Sequence, residues 1–296
     1  MAVATVRHPL PRTPRTRWAR WAHRKWDLRA GFWTGLTWVI ALVIFFPVLW
    51  MVLTSFKTEH TAYTYPPRFV FSPTLYQYGQ VFGGVQNFTH PLEHSLFVTL
   101  VSTGLVLLLA VPAAYSLAIR PVKRAKDVLF FFLTTKMLPY VAAIVPIYVV
   151  AKDLGLLDND WTLVVLYTAM NLPIAVWMIR SFLVEVPRGL LEAARIDGAS
   201  TWTEVTRVVL PMIMPGLAAT ALICGIFAWN EFFFAQSLTA TNGPTMSVFL
   251  VSSIQTEGLY WAQLSAAATV ASLPVVLAGW IAQKQLVRGL SLGALK

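Results

Sequence analysis

The sequence predicts an all-α integral membrane protein with six transmembrane helices, and composition and segment length together support that prediction. Hydrophobic residues make up 57% of the 296 residues, and charged residues only 12%, about half of the fraction usual in a soluble domain. Six apolar stretches approach or exceed the roughly 20 residues that a helix needs to cross the hydrocarbon core. Lipid offers the backbone no hydrogen-bond partners, so segments this long and apolar form helices. A bundle of buried helices in a soluble protein would need polar faces that these segments lack.

The predicted spans follow one another along most of the chain. They are Phe32–Ser55, Ser95–Ile119, Val128–Ala151, Trp161–Leu183, Met212–Ser237 and Gln263–Ala282. Spans two to six each contain at least one proline, which removes a backbone donor and predicts a kink. We divide the chain into a basic N-terminal arm, residues 1–30, and a six-helix transmembrane domain, residues 31–296. The first apolar run is longer than a typical signal core, so we expect it to remain as a span.

The distribution of Lys and Arg predicts the orientation of these spans. The N-terminal arm, the second and fourth connections and the C-terminus would share one side of the membrane. Of the 23 Lys and Arg residues, only Lys57, Arg68 and Lys152 fall on the other side, and Lys136 falls inside span three. Short cytoplasmic segments carry an excess of Lys and Arg, so both termini are predicted to be cytoplasmic. The net charge of +10 is thus explained without a nucleic-acid partner.

The longest predicted external segment follows span one, from about residue 57 to residue 94, and is rich in aromatic residues. These are Tyr63, Tyr65, Phe69, Phe71, Tyr76, Tyr78, Phe82 and Phe88. Aromatic side chains commonly rest at the interface between membrane and water. They also suit a docking surface for an external partner, and the two interpretations are compatible.

The connection between spans four and five, residues 184–210, is polar and helix-forming. Pro187 suits the first turn of a helix, where its missing N–H is not needed. About three helical turns follow, up to Asp197, and Gly198 is placed as the left-handed residue that ends them. The apolar side of this helix is formed by Leu190, Leu191, Ala194 and Ile196.

A second helix is predicted to begin directly after this glycine corner. Thr201 and Glu204 have the spacing of a capping box, in which each side chain bonds the other's backbone donor. The helix then leads through Pro211 into span five. Such an insert either passes force from a cytoplasmic partner into span five or is an interfacial amphipathic helix that only stabilises the fold. The pattern alone leaves both interpretations open.

The run from Glu192 to Ala199, EAARIDGA, which continues to Leu210-Pro211, resembles a known loop. It is similar to the EAA–G–LP loop of the inner-membrane permeases of binding-protein-dependent ABC importers. In that family the loop is a coupling helix that sits in a cleft of the ATP-binding subunit. The resemblance implies a type I importer permease with a cytoplasmic coupling helix between helices 4 and 5. The implied coupling residues are Leu191, Glu192, Ala193, Ala194, Asp197 and Gly198.

The resemblance extends over nearly the whole chain and narrows to the carbohydrate-importing branch, as in the second permease of the maltose pair. The runs Thr135–Pro139 and Trp229–Phe232 are most similar to mannitol- and sorbitol-type polyol permeases. This implies import of a sugar alcohol or monosaccharide, with a disaccharide of the maltose or trehalose type as the alternative.

The family resemblance also implies where the protein works and with what. The expected location is the bacterial inner membrane, as a multi-pass protein in contact with the lipid bilayer. The expected partners are a second homologous permease, two ATP-binding subunits and an external solute-binding protein. ATP and Mg would be used by the ATP-binding subunit, and no cofactor is expected on this chain.

Four polar residues inside or near the predicted spans are candidates for a translocation path or an intramembrane polar network. They are Lys136, Asn171, Asn230 and Glu231. An ionised group inside a span is costly and usually faces a bundle interior or a wet cavity. For Lys136 and Glu231 three interpretations compete: the translocation path, a structural network, or snorkelling to lipid headgroups. Their predicted depths differ by about two turns, which argues against a direct pair.

The motifs that the sequence lacks narrow the function further. It has no G-x-x-x-x-G-K-[ST] phosphate loop, no nucleophile motif and no cluster with metal-ligand spacing. We therefore expect neither an enzyme nor a metal site, and the single cysteine, Cys224, is expected to serve packing. The rival functions are an ion-coupled secondary transporter, with Lys136 or Glu231 as the coupled group, and a membrane enzyme or assembly factor.

Overall fold

The computed structural model describes residues 28–84, 87–120, 122–137, 139–239, 243–256 and 260–293. The predicted N-terminal arm lies outside these residues up to residue 27. Every regular element within them is helical. Five of these helices are long and apolar enough to cross a membrane, or six if one bent pair counts as a single span. The predicted fold class is thereby confirmed.

The helices follow the predicted order, with shorter ones between the spans. They are α1 (Leu28–Ser55), α2 (Glu59–Ala62), α3 (Tyr76–Gly83), α4 (Thr89–Ile119), α5 (Ala125–Lys136), α6 (Tyr140–Asp153), α7 (Asp160–Val184), α8 (Arg188–Ile196), α9 (Thr201–Thr203), a π-helix (Glu204–Val209), α10 (Leu210–Trp229), α11 (Phe233–Leu238), α12 (Met246–Thr256) and α13 (Trp261–Gly293). The chain divides after Trp50 into two compact units. In the first, the side chains of residues 31–49 are exposed, and Phe46 stacks on Trp50 with ring centres 6.1 Å apart.

The core of the second unit is built around α4, α7 and α10. Small residues allow these helices to approach closely. On α4, Ala110 and Ala114 are fully buried, as is Ala175 on α7. Gly216 of α10 lies directly against the ring of Phe182, so that even a methyl group at this glycine would collide with the ring. Cys224 is buried in the same cluster, in keeping with its expected packing role.

The segment after span one is more ordered than a loop of interfacial aromatics. Lys57 is buried, and its ammonium lies 5.1 Å from the ring centre of Phe71. The Glu59 carboxylate accepts hydrogen bonds from the backbone N–H groups of Ala262 and Gln263, at 3.0 and 2.8 Å. It thereby caps the first turn of α13, where unpaired N–H groups favour a negative charge. Of the aromatics in this segment, Tyr65 is almost fully exposed and Phe88 is fully buried.

The third span is not the single helix that its apolar length predicts. Its two halves, α5 and α6, are bent by 86° relative to each other. Pro139 has extended backbone and precedes the first residue of α6. Because proline lacks an N–H and disfavours helical backbone before it, the predicted kink becomes a full break. Lys136 is therefore the last residue of α5 and does not lie within a continuous helix.

The fifth span ends earlier than predicted. The helix stops at Trp229, with Asn230 as its C-cap, and does not continue to Ser237. Glu231 and Phe232 lie outside helices, and α11 then begins at Phe233. Glu231 is thus a residue of a helix break. The hydropathy of this region gave no sign of the break, because the residues on both sides of it are apolar.

Candidate functional site

The helix predicted to be the coupling helix is α8, and one of its faces is anchored to the membrane domain. Pro187 has extended backbone and precedes the first helical residue. Leu191 is only 4% exposed and packs with Leu183, Val186 and Val209. Of the implied coupling residues, Leu191 therefore anchors the helix, whereas Glu192, Ala193, Asp197 and Gly198 are exposed and Ala194 is half-buried. Ile196, 85% exposed, is an apolar residue on the open side.

The glycine corner after α8 has the predicted left-handed conformation. Gly198 has φ +82°. Its N–H donates to the Arg195 carbonyl at 3.1 Å, and the Ala199 N–H donates to the Ala194 carbonyl at 2.9 Å. This bond pair is a Schellman motif, which satisfies the last carbonyls of a helix. Among the described residues other than its two chain neighbours, none has an atom within 4 Å of the place where a Cβ would stand on Gly198. Backbone conformation, and not space, therefore demands glycine at this corner.

The capping box predicted after this corner is wrong. The N-cap of α9 is Ser200, whose Oγ accepts the Thr203 N–H at 3.2 Å. Thr201 is the first helical residue, and its Oγ1 accepts a hydrogen bond from Arg120 Nη2 at 2.7 Å. Serine and threonine are both good N-caps, so the local sequence does not choose between them.

Glu204 is engaged by side chains from two other elements instead of capping α9. It is 1% exposed. Tyr115 of α4 donates its hydroxyl to Oε1 at 2.7 Å. Arg195 of α8 donates from Nε to Oε2 at 2.8 Å and from Nη2 to Oε1 at 3.0 Å. This two-pronged contact is the strong geometry of an arginine–carboxylate pair. The bond to Glu204 raises the pKa of the Arg195 guanidinium above its usual range.

A π-helix follows immediately and joins this site to span five. It covers Glu204–Val209 and continues without interruption into α10. Such wide turns are rare and often lie at functional sites. Sequence reasoning missed both the π-helix and the contact between Tyr115 and Glu204. The opposite charges of Arg195 and Glu204 on either side of the glycine corner are the sequence signal that could have indicated their contact, but the capping-box prediction paired Glu204 with Thr201.

Lys136 lies at the end of α5 among groups of three other helices. Its Nζ donates to the Met170 carbonyl of α7 at 3.1 Å and to the Tyr140 hydroxyl of α6 at 3.3 Å. It also lies 5.3 Å from the ring centre of Phe227 on α10. Within the part of the chain that the structure describes, no ion pair joins it to Glu231. These contacts with α6, α7 and α10 support the structural-network interpretation for Lys136.

Glu231 is buried and its carboxylate is well supplied with donors. The Tyr167 hydroxyl donates to Oε2 at 2.8 Å. The N–H groups of Phe234 and Ala235 donate to Oε1 and Oε2, at 2.9 and 3.2 Å. The backbone carbonyl of Glu231 also accepts from Ser247 Oγ at 2.6 Å. These contacts support the structural-network interpretation for this residue.

The two candidate asparagines have different surroundings. Asn171 is 1% exposed; its Nδ2 lies 3.5 Å from the Cys224 carbonyl, and its Oδ1 has no protein partner among the described residues. Asn230 is exposed, and its Nδ2 donates to the Ile226 carbonyl at 2.8 Å. The four predicted polar residues thus do not meet in one cluster. Asn230 and the half-buried Lys136 are the ones partly open to their surroundings.

The spans and the short helix projecting between the fourth and fifth define a multi-pass membrane component. Residues 110–292 match the model of a family described as binding-protein-dependent transport system inner membrane component. The match includes α8, the glycine corner and the last four spans. The chain belongs to this family, and the resemblance inferred from the EAARIDGA run is confirmed.

Named relatives align over nearly the whole chain. It is 39% identical to the "Probable ABC transporter permease protein y4oR" of Sinorhizobium fredii, over 90% of this chain and 96% of that protein. It is 34% identical to the sulfoquinovosyl glycerol transport system permease protein SmoH of Agrobacterium fabrum, over 85% and 88%. A chain of the crystal structure of a bacterial ABC transporter that imports alginate superposes with TM-score 0.70 at 22% identity, over 89% and 99%. These matches support the type I importer permease fold predicted from the sequence.

Proposed function

We propose that this chain is the transmembrane permease subunit of an ATP-driven importer for a small carbohydrate. The observation that carries the proposal is α8, which is anchored by Leu191 and presents Glu192, Ile196 and Asp197 outward. Two ATP-binding subunits would grip such helices from the cytoplasm, one on this chain and one on a homologous second permease. An external solute-binding protein would deliver the solute, and both termini of this chain would be cytoplasmic.

The proposed mechanism is alternating access. Closure of the ATP-binding subunits would pull α8, and α10 would follow because the chain continues from the glycine corner through the π-helix into it. A ligand shifts a conformational equilibrium only by its different affinities for the two states. ATP binding in the partner must therefore favour the arrangement in which α8 is displaced. Hydrolysis would occur in that partner, which would hold ATP and Mg.

For the solute, we propose a sugar alcohol or a monosaccharide. The support is the similarity of the Thr135–Pro139 and Trp229–Phe232 runs to polyol permeases. Asn230 is exposed and could donate to a hydroxyl of the solute, and Lys136 lies beside the exposed ring of Phe227. A glycoside or disaccharide is the second candidate, because the Agrobacterium relative is named for sulfoquinovosyl glycerol. Glu231 and Asn171 are buried and would act through the packing of the path.

The docking of α8 can be tested by cross-linking. Ile196→Cys places a thiol on the open side of α8, whereas Val70→Cys places one at a site that is 92% exposed in the segment after span one. The natural Cys224 is buried and should stay silent. We expect the cysteine at position 196, and not the one at position 70, to cross-link to a co-expressed ATP-binding subunit. The opposite pattern, or no cross-link from position 196, would refute the proposed docking.

The energy source and the solute need two further measurements. Uptake that survives loss of the ATP-binding subunit but stops with an uncoupler would identify the ion-coupled rival. A binding screen of the external receptor against polyols, monosaccharides and disaccharides would decide the solute class. We expect the tightest binding for a polyol or monosaccharide. A receptor that binds only disaccharides would overturn the finer proposal and leave the permease role intact.

A further inference from the structure

Side chains from three separate elements meet beneath α8. Tyr115 comes from the last turns of α4, Arg195 from the last turn of α8, and Glu204 from the start of the π-helix. Glu204 accepts hydrogen bonds from both other residues through the same carboxylate. Tyr115 is 4% exposed and Glu204 only 1%. Water therefore does not compete for these bonds at the carboxylate.

We infer that Tyr115, Arg195 and Glu204, hereafter the tie, make α8, the start of span five and α4 move as one body. The inference rests on the proposed function and deepens it, because it names the residues that carry displacement of α8 into the membrane domain. Through the tie, a pull on α8 reaches a second membrane helix besides the one to which the chain is joined.

The need for such a tie follows from the backbone between α8 and α9. There the chain turns at Gly198, an exposed residue with open space about it. A single glycine corner transmits displacement of α8 to α9 poorly, because rotation about a few backbone dihedral angles can absorb it. The bond from Arg195 to Glu204 spans the corner and closes it into a rigid loop. Displacement of α8 then cannot be lost by rotation at Gly198.

The hydroxyl of Tyr115 extends this rigid loop to α4. Arg120, just beyond the end of α4, adds a second contact through the Thr201 hydroxyl at 2.7 Å. α4 in turn packs along α7, with Ala110 and Ala175 buried in one cluster. Breaking the tie would leave the Glu204 carboxylate buried without its full set of donors, which is strongly unfavourable. The tie therefore should persist through the transport cycle.

A pair of spin labels tests this movement directly in the assembled transporter. The labels replace Leu108, exposed on α4, and Arg188, exposed on α8. In the otherwise unchanged protein we expect the distance between the two labels to be the same in two states, one without nucleotide and one in which vanadate has trapped the nucleotide in the ATP-binding subunits. In Tyr115→Phe and in Glu204→Gln we expect the distance to change between the two states. A distance that already changes with the tie intact would overturn the inference.

The functional readout is the stimulation of ATPase activity by the solute-loaded external binding protein. Tyr115→Phe removes one hydroxyl and should reduce this stimulation about tenfold, the effect of losing one hydrogen bond to a charged group. Basal ATPase activity should stay within about twofold. The matched control is Thr168→Val, which removes a buried hydroxyl that donates to the Val164 carbonyl at 2.7 Å within α7. The control should keep full stimulation.

The outcomes separate this inference from the proposed function. If Tyr115→Phe and Glu204→Gln both keep full stimulation and an unchanged label distance, the tie is a static part of the fold and the inference fails. In that case the permease role stands. If the unchanged protein assembles with no ATPase at all, the proposed function fails and the inference falls with it. Glu204→Gln keeps the shape of the side chain and still accepts the hydrogen bond from Tyr115. An effect of this variant is therefore not caused by misfolding alone.

Discussion

Two buried glutamates lie at opposite ends of the fifth span, and their partners differ in kind. Glu204 is at the end that bears α8, and Glu231 lies just beyond the other end. Each accepts a tyrosine hydroxyl from a neighbouring span, at 2.7 Å from Tyr115 and 2.8 Å from Tyr167. Glu204 is completed by the guanidinium of Arg195, and Glu231 by two backbone N–H groups of α11. A tyrosine–glutamate hydrogen bond is thus present at both ends of the span, but the other partners of the glutamate differ.

We interpret this difference in partners as a difference in the roles of the two ends of the span. An arginine on a separate element links that element to the carboxylate, so the bond around Glu204 can transmit displacement. Backbone N–H groups at the start of a helix fix the path of the chain itself, in the manner of an N-terminal cap. Glu231 thereby stabilises the break between α10 and α11. We infer that the end at Glu204 serves linked movement and the end at Glu231 a fixed shape.

The largest effect should come from Glu231→Ala. It removes the acceptor of the Tyr167 hydroxyl and of two N–H groups in a buried site, so we expect a loss of about 3 kcal/mol or more of unfolding free energy. Glu204→Ala should cost less, because the Arg195 side chain is 43% exposed and can rehydrate. Thermal unfolding of both variants in detergent measures the order. A lower melting temperature for Glu204→Ala than for Glu231→Ala would contradict the comparison.

Double-mutant cycles on the two tyrosine–glutamate pairs sharpen the comparison. Tyr115→Phe with Glu204→Ala, and Tyr167→Phe with Glu231→Ala, should each give a coupling energy of about 1–2 kcal/mol in stability. The two hydrogen bonds have nearly the same length, so the two coupling energies should be similar. ATPase stimulation by the binding protein should show coupling only in the first cycle. Equal functional coupling in both cycles would remove the proposed distinction between the ends.

A smaller effect is expected at the glycine corner. Gly198→Ala forces an alanine into the left-handed region, which costs about 1–2 kcal/mol, and no neighbouring atom adds to that cost. We expect reduced transport with normal membrane insertion. Gly189→Ala is the matched control, since Gly189 lies inside α8 with open space around it, and alanine favours a helix there by up to about 1 kcal/mol. Normal uptake by the Gly198 variant would count against α8 as the coupling helix.

The long helices of this fold could be predicted from the sequence because a segment that crosses lipid must satisfy its backbone hydrogen bonds internally. Apolar length alone located spans one, two and four to within several residues of α1, α4 and α7, and it located the start of α13, which continues past the predicted end of span six to Gly293. The breaks in spans three and five escaped that reasoning. Hydropathy does not change across Pro139 or Asn230, and the groups that stabilise the breaks come from distant parts of the chain. Tyr167 and Met170, both on α7, satisfy Glu231 and Lys136.

The same division holds for the candidate site. Local rules found the helix start at Pro187 and the left-handed Gly198, since both depend on a few neighbouring residues. They could not find Tyr115, which lies far from Glu204 in sequence and approaches it only through packing of α4. They also chose Thr201 over Ser200 as the N-cap, because two adjacent hydroxyl residues satisfy the same local rule. The contact of Arg120 with Thr201 favours the register that leaves Ser200 as the cap.

The smallest effect concerns this cap and tests the end that bears α8 most locally. Ser200→Ala removes the acceptor of the Thr203 N–H and should cost about 1 kcal/mol. Thr201→Ala removes an exposed acceptor from Arg120 and should cost within about 0.5 kcal/mol. Unfolding in detergent with both variants in parallel measures the difference. If Thr201→Ala were the more costly of the two, the capping box would be restored and Glu204 would have to leave Arg195 to complete it. Because Glu204 cannot serve both partners, such a result would also weaken the case for a tie at this end of the span.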